Sequence, residues 1–132
     1  MAVAEDFTIE EKEEQERMVL ESVDRFLERD VEPFAHDLEA DDTYPQEIVD
    51  KMVDMGLFGA TIGMEYGGLG LSVSTYAKIV ERVSTVWMSV SGIFNSHLIM
   101  AAAVERSGTE EQKAKWLPKF ASGELRGGIA LT

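Results

Sequence analysis

The longest apolar stretch of the chain, Met88 to Val104, carries no Asp, Glu, Lys or Arg, and it limits the available folds more than any other feature. A surface helix needs a polar face, so a helix apolar on most faces must run through the middle of a molecule. Ser89, Ser91, Asn95, Ser96 and His97 interrupt the stretch, which therefore does not read as a membrane span. It reads as a central, buried helix over about Met88 to Ser107, ended by Gly108. A central helix needs others packed around it.

Four further helices are predicted. Thr8-Ile9-Glu10-Glu11 has the form in which a Thr oxygen and a Glu carboxylate satisfy free amide donors at a helix start. Met18, Val19, Ser22, Val23, Phe26, Leu27 and Val31 follow at three- and four-residue steps and make one inward stripe. That helix should end before Pro33 or kink near it. Pro45 suits the first turn of a second helix, with Ile48, Val49, Met52 and Val53 inward and Gly56 at its end. Ser72 is a plausible cap for a third, with Tyr76, Ile79, Val80 and Val83 in helical period. Beyond the central helix, Thr109-Glu110-Glu111-Gln112 is a second capping box, opening a fifth with Trp116, Leu117 and Phe120 inward, Pro118 inside and Gly123 at its end. The fold class is all-α, a bundle of about five helices. Arg126 to Thr132 turns Gly-rich and then apolar, like a strand just starting, and a lone strand needs a sheet to pair with. We therefore expect residues 1–125 to form a helical domain, and 126–132 to start a β-domain that continues downstream.

The charge narrows the function. Residues 1–54 hold 19 acids and 5 bases, and residues 55–132 hold 6 and 7, so the net charge of −13 arises entirely in the first part. Such a surface repels phosphate backbones and anionic lipid, and neither nucleic-acid binding nor membrane insertion is expected. It reads as a solvated helical face. Zero cysteines exclude disulfides and thiolate metal sites, and His36 and His97 have no carboxylate at ligand spacing, so no metal site is expected. The start MAVAEDFTIEEKEEQE lacks a basic region followed by an apolar one, which leads us to expect a cytoplasmic, unprocessed protein.

Two places could carry chemistry. Tyr66-Gly67-Gly68-Leu69-Gly70-Leu71 precedes a helix start and could present amides to an anion, or could be a tight turn that needs positive φ. It matches neither the dinucleotide fingerprint nor a P-loop, which favours the turn. Asn95, Ser96 and His97 need polar partners, either within the core or on a ligand. No Ser-His-acid order or paired-carboxylate spacing supports hydrolysis.

Four segments together resemble the acyl-CoA dehydrogenases, over essentially the whole chain. They are PQEIVDKMVDMGLFG from Pro45 to Gly59, YGGLGL from Tyr66 to Leu71, Asn95-Ser96 with the helix around it, and GTEEQKAKWLPKFASGELRGGIALT from Gly108 to Thr132. The chain departs from the family in having Gly63-Met64-Glu65 where Pro-Glu-Glu is common, and Ile129 where an aromatic is frequent.

The resemblance implies an FAD-dependent oxidoreductase that removes two hydrogens across the α and β carbons of an acyl-CoA thioester. An electron-transfer flavoprotein would be the acceptor, and the full-length enzyme would be a homotetramer. The catalytic glutamate of the family lies in a C-terminal domain, so no acid of this chain is expected to be the base. Carried over by position, Ile129, Leu131 and Thr132 would contact the flavin, with Thr132 hydrogen-bonding. Ser89, Val90, Ile93, Phe94 and His97 would line the acyl pocket, with Phe94 reshaping it. Such a domain should expose an apolar groove on the central helix that only a second domain closes. A freestanding acidic helical interaction module of the same fold should instead show a polar, closed surface. An acyl-CoA oxidase-like flavoenzyme is a further alternative.

Overall fold

The computed structural model describes residues 8–132; the acidic start through Phe7, read above as lacking a leader, lies outside the described residues. Helix α1 runs over Ile9–Phe26, α2 over Glu32–Ala40, α3 over Gln46–Asp54, α4 over Val73–Ser107 and α5 over Glu110–Ala121. The chain is all-α, as expected, and no strand forms among the described residues. Arg126 to Thr132 carries no regular structure, because nothing described offers it a ladder to join.

The helix starts lie where local chemistry sets them. The Glu11 amide donates to Thr8 Oγ1 at 3.2 Å while the Thr8 amide donates to the Glu11 carboxylate at 2.7 Å. Thr109 and Gln112 repeat the exchange at 2.9 and 3.2 Å, and Ser72 accepts from the Thr75 amide at 3.1 Å. Each such cap is worth on the order of 1 kcal/mol.

Pro33 produces a different outcome from the expected stop. It has no amide to donate to Arg29 and its ring would crowd that carbonyl, so the turn before it, Leu27–Val31, widens to π spacing. Helix α2 then restarts with Pro33 in its first turn, where a missing amide is harmless. Sequence periodicity alone does not predict this helix.

Helix α4 is two helical halves meeting at Trp87, whose backbone is extended at φ −156°, ψ 103°. The third and central predicted helices are those halves. Around them close Leu20, Val23, Phe26, Leu27 and Val31 from the first segments and Ile48, Val49 and Met52 from α3. Phe58, Ile62, Ile79, Val83, Val90, Phe94, Leu98 and Leu117 complete the core. Two expected core residues differ. Met18 is 60% exposed, Leu20 facing inward instead, and Trp116 sits at the rim, stacked 6.3 Å from the Phe120 ring with the Lys115 ammonium 4.6 Å from its own. In α5 it is Leu117 that is fully enclosed.

Polar links tie the layers. Glu16 of α1 accepts from Lys78 and from the Thr75 hydroxyl of α4, and Asp30 accepts from Lys51 of α3 at 2.7 Å and from Arg29 at 2.9 Å. Hydrogen bonds from Arg29, then Lys51, hold the Asp30 carboxyl down at about 2.

Candidate functional site

The kink at Trp87 and the turn after α2 together shape a groove of about 330 Å³. Leu38 and Glu39 form one wall, Asp42 to Pro45 the floor, and Trp87, Ser89 and Ile93 the other wall. The Trp87 indole N–H donates to the Glu39 carboxylate, which pins the kink to α2. A neighbouring hollow of about 340 Å³ shares Leu38 and Thr43 to Pro45, and extends along Phe34 and Ile48 to the Asp30–Lys51 pair. Leu38 and Glu39 gave no sequence signal as site residues, because they lie on the helix that Pro33 seemed to forbid.

Of the five residues expected on the acyl pocket, Ser89 and Ile93 reach this groove, whereas Val90, Phe94 and His97 are fully buried in the core behind it. Asn95 is met inside the chain: the Tyr76 hydroxyl donates to its side-chain oxygen, and burial raises the Tyr76 phenol to about 12. The Tyr76 ring stands edge-on to Phe94 at 6.3 Å. Ser96 is exposed.

His97 has both ring nitrogens engaged. Nε2 lies 3.0 Å from the Phe120 carbonyl, and the Gly127 amide lies 3.3 Å from Nδ1. A carbonyl can only accept and an amide N–H only donate, so the ring is neutral with its proton on Nε2. Burial lowers the His97 pKa most, with the Arg126 guanidinium adding to this; hydrogen bonds to the Phe120 and Phe58 carbonyls oppose it. The Phe58 and Phe120 rings pack edge-to-face with the imidazole. Below about 6.5 the unfolded chain therefore takes up this proton more readily than the folded one. Stability from this group is complete above that pH and should fall towards pH 5, by at most about 1.4 kcal/mol per unit. Urea midpoints at pH 7 and pH 5 measure it; the Asp30 contribution is lost in a separate window, as pH falls from 3.8 towards about 2.

The glycine segment holds no anion cradle. The amides of Gly67, Gly68, Leu69, Gly70 and Leu71 donate to the carbonyls of Met64, Gly63, Gly59, Ile62 and Ala60 at 2.9–3.2 Å, leaving none of the five free for a phosphate. The alternative left open by the sequence resolves to a folded-back turn.

At the other end of the described chain the situation is reversed. Arg126 places its guanidinium 5.8 Å from the Phe58 ring and reaches the Tyr44 hydroxyl at 3.4 Å, and Gly127 is held by His97. From Gly128 to Thr132 no hydrogen bond joins the chain to the other described residues, and Ile129, Leu131 and Thr132 are exposed. Exposed backbone groups and the Thr132 hydroxyl are of the kind that can contact a planar, polar-edged cofactor. The described residues include no group of three or more His, Asp or Glu side chains able to hold a metal ion.

A model of the acyl-CoA dehydrogenase N-terminal domain matches residues 13–124. The chain is 38% identical over 114 residues to (2S)-methylsuccinyl-CoA dehydrogenase of Cereibacter sphaeroides, covering 86% of this chain and 21% of that protein. It is 35% identical over 128 residues to the short-chain specific acyl-CoA dehydrogenase of Clostridium acetobutylicum, covering 96% and 33%. The solved structure of an acyl-CoA dehydrogenase complexed with FAD from Bacillus anthracis superposes with a TM-score of 0.70 at 28% identity, over 93% of this chain and 21% of that one. The chain thus spans about a fifth to a third of the length of these curated relatives.

Proposed function

The chain belongs to the acyl-CoA dehydrogenase family, of which it carries the N-terminal domain, and we propose that it walls the acyl site of an FAD-dependent enzyme that α,β-dehydrogenates an acyl-CoA thioester. In this reading residues 126–132 lead from the helical domain into the next. One observation carries the reading: the second half of α4 exposes a face without charge, with Met88 74% and Ile99 48% exposed and Gly92, Ser96 and Ala103 between and beyond them. Unpartnered apolar surface on the most apolar helix of a fold is the mark of a face awaiting a second layer. A freestanding interaction module would be expected to close and polarise that face.

In this reading Ser89 and Ile93 meet the acyl chain, while Val90, Phe94 and His97 set the position of the helix from behind. Ile129, Leu131 and Thr132 meet the cofactor through the backbone and the Thr132 hydroxyl. Bound FAD would supply the hydride acceptor for the β carbon. The acids of this chain serve its surface and its ion pairs, and the proton from the α carbon goes to a base outside residues 1–132. The family resemblance further supports an electron-transfer flavoprotein as acceptor and a homotetramer.

Spectra of two purified proteins test this. After incubation with FAD and gel filtration, the 132-residue chain should elute colourless. The full-length product should elute yellow and bleach on mixing with an acyl-CoA thioester. Stoichiometric flavin on the short chain would overturn the division of labour, and a colourless full-length protein would overturn the function.

A further inference from the structure

We propose that His97 is a positioning residue, whose Nδ1 holds the Gly127 amide and so fixes the point and direction at which Gly128 to Thr132 leaves the helical bundle for the flavin. The flavin half of this rests on the function proposed above; the clamp rests on geometry alone. His97 is fully buried on α4, 30 positions before the residue it grips. Its ring cannot easily rotate. The Phe58 and Phe120 rings pack edge-to-face with it, centroids 5.2 and 5.7 Å away at interplanar angles of 72° and 89°, and the Phe120 carbonyl holds the opposite nitrogen. The grip is local to two residues. Arg126 lies over Phe58 and reaches Tyr44, Gly127 is bonded to His97, and beyond them the backbone makes no further hydrogen bond to the described chain. Gly127 also lies against α4, since a β carbon there would come within 2.8 Å of Met100 Cε. Among the described residues, the bond to Gly127 is the last that holds the backbone before it leaves the bundle.

A ring needed only to fill the core would serve in either tautomer and without the Gly127 contact, and that difference makes the idea testable. Two variants separate the two nitrogens in the full-length protein. His97→Gln keeps a donor near the Nε2 position and removes the Nδ1 acceptor; His97→Asn keeps an acceptor near Nδ1 and removes the Nε2 donor. Hydrogen exchange of the peptide containing Gly127 and fluorescence titration with FAD are measured on both. In His97→Gln, exchange at Gly127 should quicken and FAD affinity should fall, each by about five- to tenfold for one lost hydrogen bond, with the peptides of α4 and α5 unchanged. His97→Asn should stay nearer the parent in both. Quicker exchange with unchanged FAD affinity overturns the positioning role, and unchanged exchange overturns the clamp. Imidazole 15N shifts of the parent protein give an independent check should a variant fail to fold: the Nε2–H tautomer supports the clamp and the Nδ1–H tautomer overturns it. A parent that binds no FAD would instead overturn the proposed function and the flavin half with it, while the exchange arm still decides whether His97 holds Gly127.

Discussion

Phe94→Ala is expected to lower stability by about 3–5 kcal/mol, the range found when a large buried aromatic is truncated and its cavity does not collapse. Phe94 is fully enclosed, with the Tyr76 ring edge-on at 6.3 Å and the Val90 and Leu98 side chains of its own helix buried alongside. Had the side chain formed an open pocket wall, its removal would cost little in the absence of ligand, because an exposed wall loses no neighbours. Trp116→Ala supplies the contrast within the same experiment. Trp116 is larger but only partly buried and outside the core cluster, so its loss should cost only about 1–2 kcal/mol, mostly through the stacked Phe120. Urea denaturation of both variants at pH 7 measures the difference. Equal costs would return Trp116 to the core; a near-neutral Phe94→Ala would put that residue on a surface.

The pattern of what the sequence disclosed follows the range of the interactions involved. Thr8, Ser72 and Thr109 cap helices through groups three residues away, so their boundaries were legible. Ile48, Val49, Met52, Ile79, Val83 and Leu117 could be read from period alone, because each faces inward on a straight helix. Pro33 misled because a helix can absorb a proline by widening one turn, a response set by whether the segment beyond has something to pack on. Leu38 and Ala35 of α2 do pack on the core. The groove was legible only on its α4 side for the same reason. The link from His97 to Gly127 spans 30 positions and joins an imidazole to a glycine amide, and neither residue type announces such a partner. At Arg126 to Thr132 the apolar pattern suggested a strand, but pattern supplies only the tendency, and the ladder needs a neighbour.

Gly68→Ala should be among the most damaging single substitutions in the chain, costing at least about 3 kcal/mol or preventing folding, although it adds one methyl group. A β carbon at Gly68 would lie 2.1 Å from the Ile62 carbonyl oxygen, 2.6 Å from its carbon and 2.8 Å from the Gly59 oxygen. These are backbone atoms, so no rotamer change relieves the overlap. They are also acceptors in use: Ile62 receives the Gly70 amide and Gly59 receives the Leu69 amide, both at 2.9 Å. Moving them apart breaks the turn that seats Phe58, Ala60 and Ile62 in the core. It would also disturb α5, since Gly59 packs so closely on Ala121 that a β carbon there would lie 2.9 Å from the Ala121 oxygen. Gly67→Ala tests the cause. Its φ of +84° strains any other residue, yet open space surrounds it, and the expected cost is only about 1 kcal/mol. Thermal or urea melts of the two neighbours therefore separate close packing from backbone conformation as the reason for this glycine pair. A cost at Gly67 equal to or above that at Gly68 would mean that left-handed backbone, rather than the contact with Ile62 and Gly59, governs the turn.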